Sequence, residues 1–192
     1  VAQGGEAGGH GAARGTFALV PAIRDAIGDT PLVAAGGIAD GRGVAAALLL
    51  GADAVLCGTA FYVAKESLAC HKAKAVAVAT TGDDTVRSTV FDRARGLNWP
   101  TPWTLRARNN AFHQKWQSSP DSITQVQCQS YAMASAAGDM ETMAVIVGEA
   151  VDLVRTISPA SVIISKMASD AEKLLTAAPA RSIFQMKDHV ND

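Results

Sequence analysis

The sequence predicts an α/β fold built from parallel βα units, and three observations predict it. Short apolar runs at 32–35 and 52–57 alternate with stretches of helical spacing, the rhythm of strands that pair parallel through helical crossovers. Both runs end in glycine, Gly36-Gly37 after the first and Gly58 after the second. A third unit, Gln3-Gly4-Gly5-Glu6-Ala7-Gly8-Gly9-His10, follows an opening strand at 1–3 and carries a histidine.

The elements follow in order. Residues 4–15 read as a glycine-rich loop. Residues 17–27 place Ala18, Leu19, Ala22, Ile23, Ala26 and Ile27 on one helical face, with Pro21 expected in the first turn. Gly28-Asp29-Thr30-Pro31 stops that helix. The run 32–35 is apolar throughout, as a strand covered on both faces is. Asp40 is placed to cap a helix over 44–50, with Gly51 just beyond its end. Residues 60–79 read as one helix, 85–91 as a β-rich stretch, and 96–103 as a loop holding Pro100 and Pro102. Helices are expected at 106–116, 142–157 and 160–175. Ser158-Pro159 supplies the cap and first-turn proline of the last one. Residues 131–138 give only a weak signal, and 180–192 read as a loose tail.

The chain has 192 residues, 48% hydrophobic and 18% charged, enough for one domain with an appendage and a sizeable core. Aromatics are only 5%, so alanine, valine and leucine must fill that core. A net charge of −1 with scattered charges gives no footprint for nucleic acid or a membrane surface. Cys57, Cys70 and Cys128 have no zinc or CxxC spacing, so no metal is expected and the thiols are expected to stay reduced. With no run of about 18 apolar residues and no secretory pattern, a cytoplasmic protein is expected. The first residue is Val1, in mid-strand, which predicts the C-terminal part of a longer protein or a processed form of one.

Chemistry concentrates at the glycines. Gly36, Gly37, Gly58 and Thr59 can offer backbone N–H groups at neighbouring strand ends, with a helix start just beyond, a pattern that suits a phosphate. A single Gly-Gly is equally what a tight turn needs; two, one βα unit apart, favour phosphate. No GxxxxGK[ST] occurs, and Gly9-His10-Gly11-Ala12-Ala13-Arg14 fails the dinucleotide pattern at its last position. His10 lies among glycines at a strand's C-terminal end, accessible as a base for a carbon acid. Glu6 reads as a loop anchor, and His71, near Glu66, Lys72 and Lys74, as part of a solvated face. His113 and His189 have no nameable partner. Trp99 and Trp103 flank the two prolines and are placed either to cover a pocket or to pack the loop.

Residues 3–10, 31–43 and 52–61 carry a resemblance. Gly-Glu-Ala-Gly-Gly-His, Ala-Ala-Gly-Gly-Ile-Ala-Asp-Gly-Arg-Gly and Gly-Thr-Ala-Phe together resemble the nitronate monooxygenases, formerly 2-nitropropane dioxygenases. The flavin-dependent enoyl-ACP reductases share nearly the same motifs. The likeness continues through Glu66-Ser67, Phe91-Asp92, Arg95-Gly96-Leu97 and Trp99-Pro100 and fades beyond Trp116.

This resemblance implies the C-terminal part of a TIM (β/α)8 barrel, its last three βα units at 1–79. A mainly helical second domain is implied at 80–178 and a tail at 179–192. It implies FMN as cofactor, held by Gln3, Gly8, Gly36, Gly37, Leu56, Cys57, Gly58 and Thr59, and His10 as base on the neutral nitroalkane. Oxidation of the nitronate with O2 to a carbonyl compound and nitrite would follow. Many relatives carry glutamine where this chain has Leu56, which removes a polar side chain but not a backbone contact. Three strands cannot close an eight-stranded barrel. Enoyl-ACP reduction is the alternative enzyme, although no basic patch suits an acidic carrier. An inactive fragment is the alternative of another class.

Overall fold

The computed structural model describes residues 1–177. Strands β1 (Ala2–Gln3), β3 (Val33–Ala35) and β4 (Ala54–Leu56) form a parallel sheet in the order β1-β3-β4. Helices α1 (Thr16–Ile27) and α2 (Gly41–Leu49) connect them. The α/β expectation therefore holds. In the pleat, Ala2, Ala34 and Val55 stand in one cross-strand row and pack with Val20, Leu32, Ile38, Ala47 and Ala52. The adjacent row, Gln3, Ala35 and Leu56, belongs to the opposite face, where Leu56 is 51% exposed.

The predicted caps of α2 are present. The Asp40 carboxylate accepts from the N–H groups of Arg42 and Gly43, and Gly51 has φ +99. Helix α1 begins at Thr16, earlier than its apolar spacing suggested. Pro21 therefore lies in the second turn, where it cannot donate to the Phe17 carbonyl.

The expected helix 60–79 is broken. Helix α3 (Thr59–Tyr62) is a single turn, and α4 (His71–Ala79) starts nine residues after it ends. The cause is Lys74, which is buried rather than solvated. Its ammonium donates to the carbonyls of Ala64, Lys65 and Ser67, so the intervening turn is satisfied without helix. Glu66 is also not on a free face. It accepts from the Ala160 N–H at the start of α8 (Ala160–Ala177), a bond that holds its carboxyl below the usual range. Pro159 offers the first helical carbonyl of α8 rather than occupying its first turn.

A second sheet was not foreseen. Strands β2 (Gly9–Gly11), β6 (Thr104–Arg108) and β5 (Thr85–Ser88) pair antiparallel in the order β2-β6-β5. The expected loop 4–15 thus contains a strand, and the expected helix 106–116 is strand followed by α6 (Ala111–Trp116). In β6 the burial alternates, with Leu105 and Ala107 inside, which is strand period. The β-rich stretch 85–91 ends early, at α5 (Val90–Ala94). The weak signal at 131–138 lies within α7 (Gln125–Ala136), started by a Thr124–Gln127 capping box.

The expected helix 142–157 is absent. Val145 and Val147 are fully buried two residues apart, a strand-like period, and a 3-10 turn spans Glu149–Leu153. Residues 1–79 and 80–177 interleave, because β2 pairs with β6 and α8 packs along α2. The tail and His189 lie outside the described residues.

His113 is buried on α6, with Nδ1 against Asn109 Oδ1 at 2.9 Å, and burial pushes its pKa down. The unfolded chain protonates such a histidine near pH ~6.5, while the folded chain holds it neutral to lower pH. The unfolded state then binds the extra proton, so stability falls as pH drops below about 6.5. Urea midpoints measured between pH 7.5 and 5.5 should show this loss, and His113→Gln should flatten it.

Candidate active site

The strand ends of the parallel sheet open on a cleft of about 380 Å³. It is lined by Gln3, Glu6 and Gly8 from the first loop, Gly36 and Gly37 after β3, and Leu56, Gly58 and Thr59 at the end of β4, with Tyr62, Ile146 and Gly148 closing it. Seven of the eight residues expected at a cofactor thus line one cleft. Cys57 does not. Its side chain packs between the two apolar clusters beside the sheet, and burial pushes its thiol pKa up.

The glycines serve different ends. Gly36 and Gly37 have φ +96 and +70, so both need glycine for the backbone alone. A Cβ on Gly36 would lie 2.9 Å from the Gly4 carbonyl oxygen. Gly8 and Gly148 meet backbone to backbone, a Cβ on Gly8 lying 2.9 Å from the Gly148 nitrogen. At Gly58, φ is −87 and nothing lies within 4 Å of the Cβ position, so only there is the space left to the cleft. No hydrogen bond from the N–H of Gly36, Gly37 or Gly58 reaches another described residue. Donors are therefore available at both strand ends. Helix α3 is too short to add much dipole, so the peptide groups themselves make the site.

Glu6 lines the same cleft but is occupied. Its oxygens accept from the Thr16 N–H and hydroxyl at 2.9 Å, which anchors the loop to the start of α1 as the sequence indicated. Thr59 Oγ1 accepts the Gly148 N–H at 2.9 Å, which leaves its hydroxyl proton to donate.

His10 is not among the residues lining this cleft and stands on β2 rather than on a free loop. Gln3 links the two, lining the cleft while its side-chain amide donates to the His10 carbonyl at 2.7 Å. His10 Nε2 lies 2.9 and 3.0 Å from the two oxygens of Asp92, and the Trp99 ring stacks on the imidazole at 3.7 Å between centroids. Sequence reasoning noted both residues within motifs but gave Asp92 no role. Its pairing spans 82 positions, which no local pattern reveals.

Arg87 holds this loop, and it too was missed. Its guanidinium donates to the carbonyls of Gly5, Ala7, Gly9, Gly11 and Thr104 at 2.7–3.4 Å. Burial and neighbouring Arg106 pull its pKa down, while Glu149 and Glu6 oppose them. Arg87→Met leaves these carbonyls without their shared donor and is expected to cost about 2–4 kcal/mol, measured by urea unfolding.

The sequence pattern of the nitronate monooxygenase family matches residues 1–170. The chain belongs to that family. It is 38% identical over 191 residues to nitronate monooxygenase npaC of Metarhizium robertsii, covering 94% of this chain and 54% of that protein. The chain thus spans about half the length of this relative. Among solved structures it is similar to FabK from Thermotoga maritima (TM-score 0.78, 29% identity, 94% of this chain and 56% of that one). It is also similar to the nitroalkane oxidase from Streptomyces ansochromogenes (TM-score 0.75, 29% identity, 92% and 52%).

No helix among the described residues is long and apolar enough to cross a membrane. The three cysteines are free.

Proposed function

We propose that this chain forms the phosphate-binding and base-bearing part of an FMN-dependent oxidoreductase that oxidises nitronates and nitroalkanes with O2 to carbonyl compounds and nitrite. Residues 1–79 would supply the last three βα units of a TIM (β/α)8 barrel, with 80–178 as the added, mainly helical part. The observation that carries the proposal is the convergence of Gly36, Gly37 and Gly58, with unengaged N–H groups, on a cleft that Gln3 joins to His10.

These residues fit the cofactor's phosphate. The N–H groups at both strand ends and the Thr59 hydroxyl are its donors, and the open volume over Gly58 admits it. Gln3, Gly8 and Leu56 border the rest of the cleft, and Cys57 lies outside its lining. FMN bound there would supply the redox chemistry for oxidising the nitronate with O2. The protein's part is to position the substrate carbon against His10 and accept its proton. Tyr62, Ile146 and Gly148 narrow the cleft on the side away from the sheet.

Enoyl-ACP reduction remains the alternative enzyme. The 38% identity to a nitronate monooxygenase over nearly the whole chain favours the first reading. The third reading, an inactive 192-residue chain, draws on the open sheet face where Leu56 is 51% exposed. Oxygen uptake and nitrite release with a nitronate should depend on added FMN and need no nicotinamide. NADPH-dependent reduction of an enoyl thioester without nitrite release would instead support the alternative. Failure of both would support the inactive chain.

A further inference from the structure

We propose that Asp92 is a positioning residue that holds His10 as the Nε2–H tautomer and so makes Nδ1 the atom that takes the substrate proton. The inference rests on the reading of His10 as the base. Both oxygens of Asp92 sit within hydrogen-bond distance of the same ring nitrogen, at 2.9 and 3.0 Å. The Asp92 side chain is only 3% exposed, against 18% for His10. A carboxylate is costly to bury without a donor, and Nε2–H is the side-chain donor it faces.

With Nε2 committed as donor, the neutral ring carries its lone pair on Nδ1. That atom makes no hydrogen bond among the described residues. No buried side-chain nitrogen or oxygen there lacks a partner, so Nδ1 opens to accessible space.

The rest of the ring's geometry is fixed as well. Trp99 stacks on one face with an interplanar angle of 14°. The His10 backbone is held by pairing with Leu105 in β6 and by the Gln3 amide on its carbonyl. The ring can neither flip nor tilt without breaking one of these contacts. Asp92 comes from α5 and Trp99 from the loop that follows, so a single short segment orients and covers the base.

The step so assigned balances. Nδ1 takes the α-proton of the neutral nitroalkane, and the C–H electron pair becomes the C=N bond of the nitronate as the nitro group takes up the negative charge. The imidazolium formed keeps Nε2–H on Asp92, whose charge offsets the new positive charge. A substrate supplied as its nitronate has already lost this proton and does not need the step. Dependence on Asp92 therefore separates the two substrate forms.

The test uses the FMN-loaded protein and its Asp92→Asn variant. Nitrogen-15 NMR of the histidine ring at pH 8 should show protonated Nε2 and unprotonated Nδ1 in the parent, and loss of that pattern in the variant. Oxygen uptake should fall about 10²-fold or more with a neutral nitroalkane, as expected for a misdirected base, and change less than about threefold with the preformed nitronate. Asp92→Glu should recover part of the nitroalkane rate.

A parent protein with Nδ1 protonated overturns the proposal, even if Asp92→Asn does not fold. So does a variant that loses both substrates equally. A parent that shows the Nε2–H pattern but oxidises neither substrate overturns the nitronate reading while supporting the Asp92–His10 assignment.

Discussion

His10→Ala is expected to lower the rate with a neutral nitroalkane by about 10²–10⁴-fold while leaving the rate with preformed nitronate within a few-fold. That range corresponds to about 3–5 kcal/mol of barrier. The asymmetry follows from what the histidine does. As the proposed base it would touch the proton, whereas nitronate oxidation would fall to the proposed cofactor. Alanine removes the imidazole but leaves β2 paired to β6, since that pairing uses the main chain. The Gln3 bond to the position-10 carbonyl is likewise retained. The variant should therefore keep β2 in place, although buried Asp92 loses its side-chain donor and stability is expected to fall. Oxygen-electrode rates with one compound in its two protonation states would read the effect. Equal losses on both forms would show that His10 serves binding rather than proton transfer.

Gly58→Leu is expected to weaken FMN binding at least about tenfold, or ~1.4 kcal/mol, without measurable loss of stability. The backbone at Gly58 has φ −87 and ψ −62, which any residue adopts, and no atom stands within 4 Å of the new Cβ. The leucine side chain then projects into the volume assigned to the phosphate. Gly36→Ala makes the opposite prediction. With φ +96 and a Cβ 2.9 Å from the Gly4 carbonyl oxygen, it should destabilise the fold by about 1–3 kcal/mol. Fluorescence titration with FMN and thermal unfolding of both variants would separate a cleft glycine from a backbone glycine.

The parallel sheet and its two helices were legible because each is locally signed. The strands are apolar runs ending in glycine, and α2 carries its cap at Asp40 and its stop at Gly51. The second sheet was not, because its strands are few-residue segments with partners far away. Residues 9–11 pair with 104–106 and read locally as loop. The segment 142–157 misled through its apolar content; its burial at Val145 and Val147 follows period two, decided by packing beneath the glycine loop. Lys74 read as part of a solvated face and Arg87 drew no reading, yet each satisfies a set of carbonyls that only the folded chain assembles. At the site, the glycines and His10 stood out by spacing, while Asp92 required the tertiary contact. Cys57, adjacent in sequence to the cleft residues, points the other way because alternate residues along a strand face opposite sides.

Phosphate binding at the two strand ends, beside His10, is the core of the proposed function. Its most direct test is the affinity of the protein for FMN against riboflavin, which differ only in that phosphate, with Gly58→Leu measured alongside. FMN is expected to bind at least about tenfold more tightly, ~1.4 kcal/mol, and the variant to reduce FMN to the riboflavin level. Equal affinity for the two flavins, or FMN binding that Gly58→Leu leaves unchanged, would contradict it.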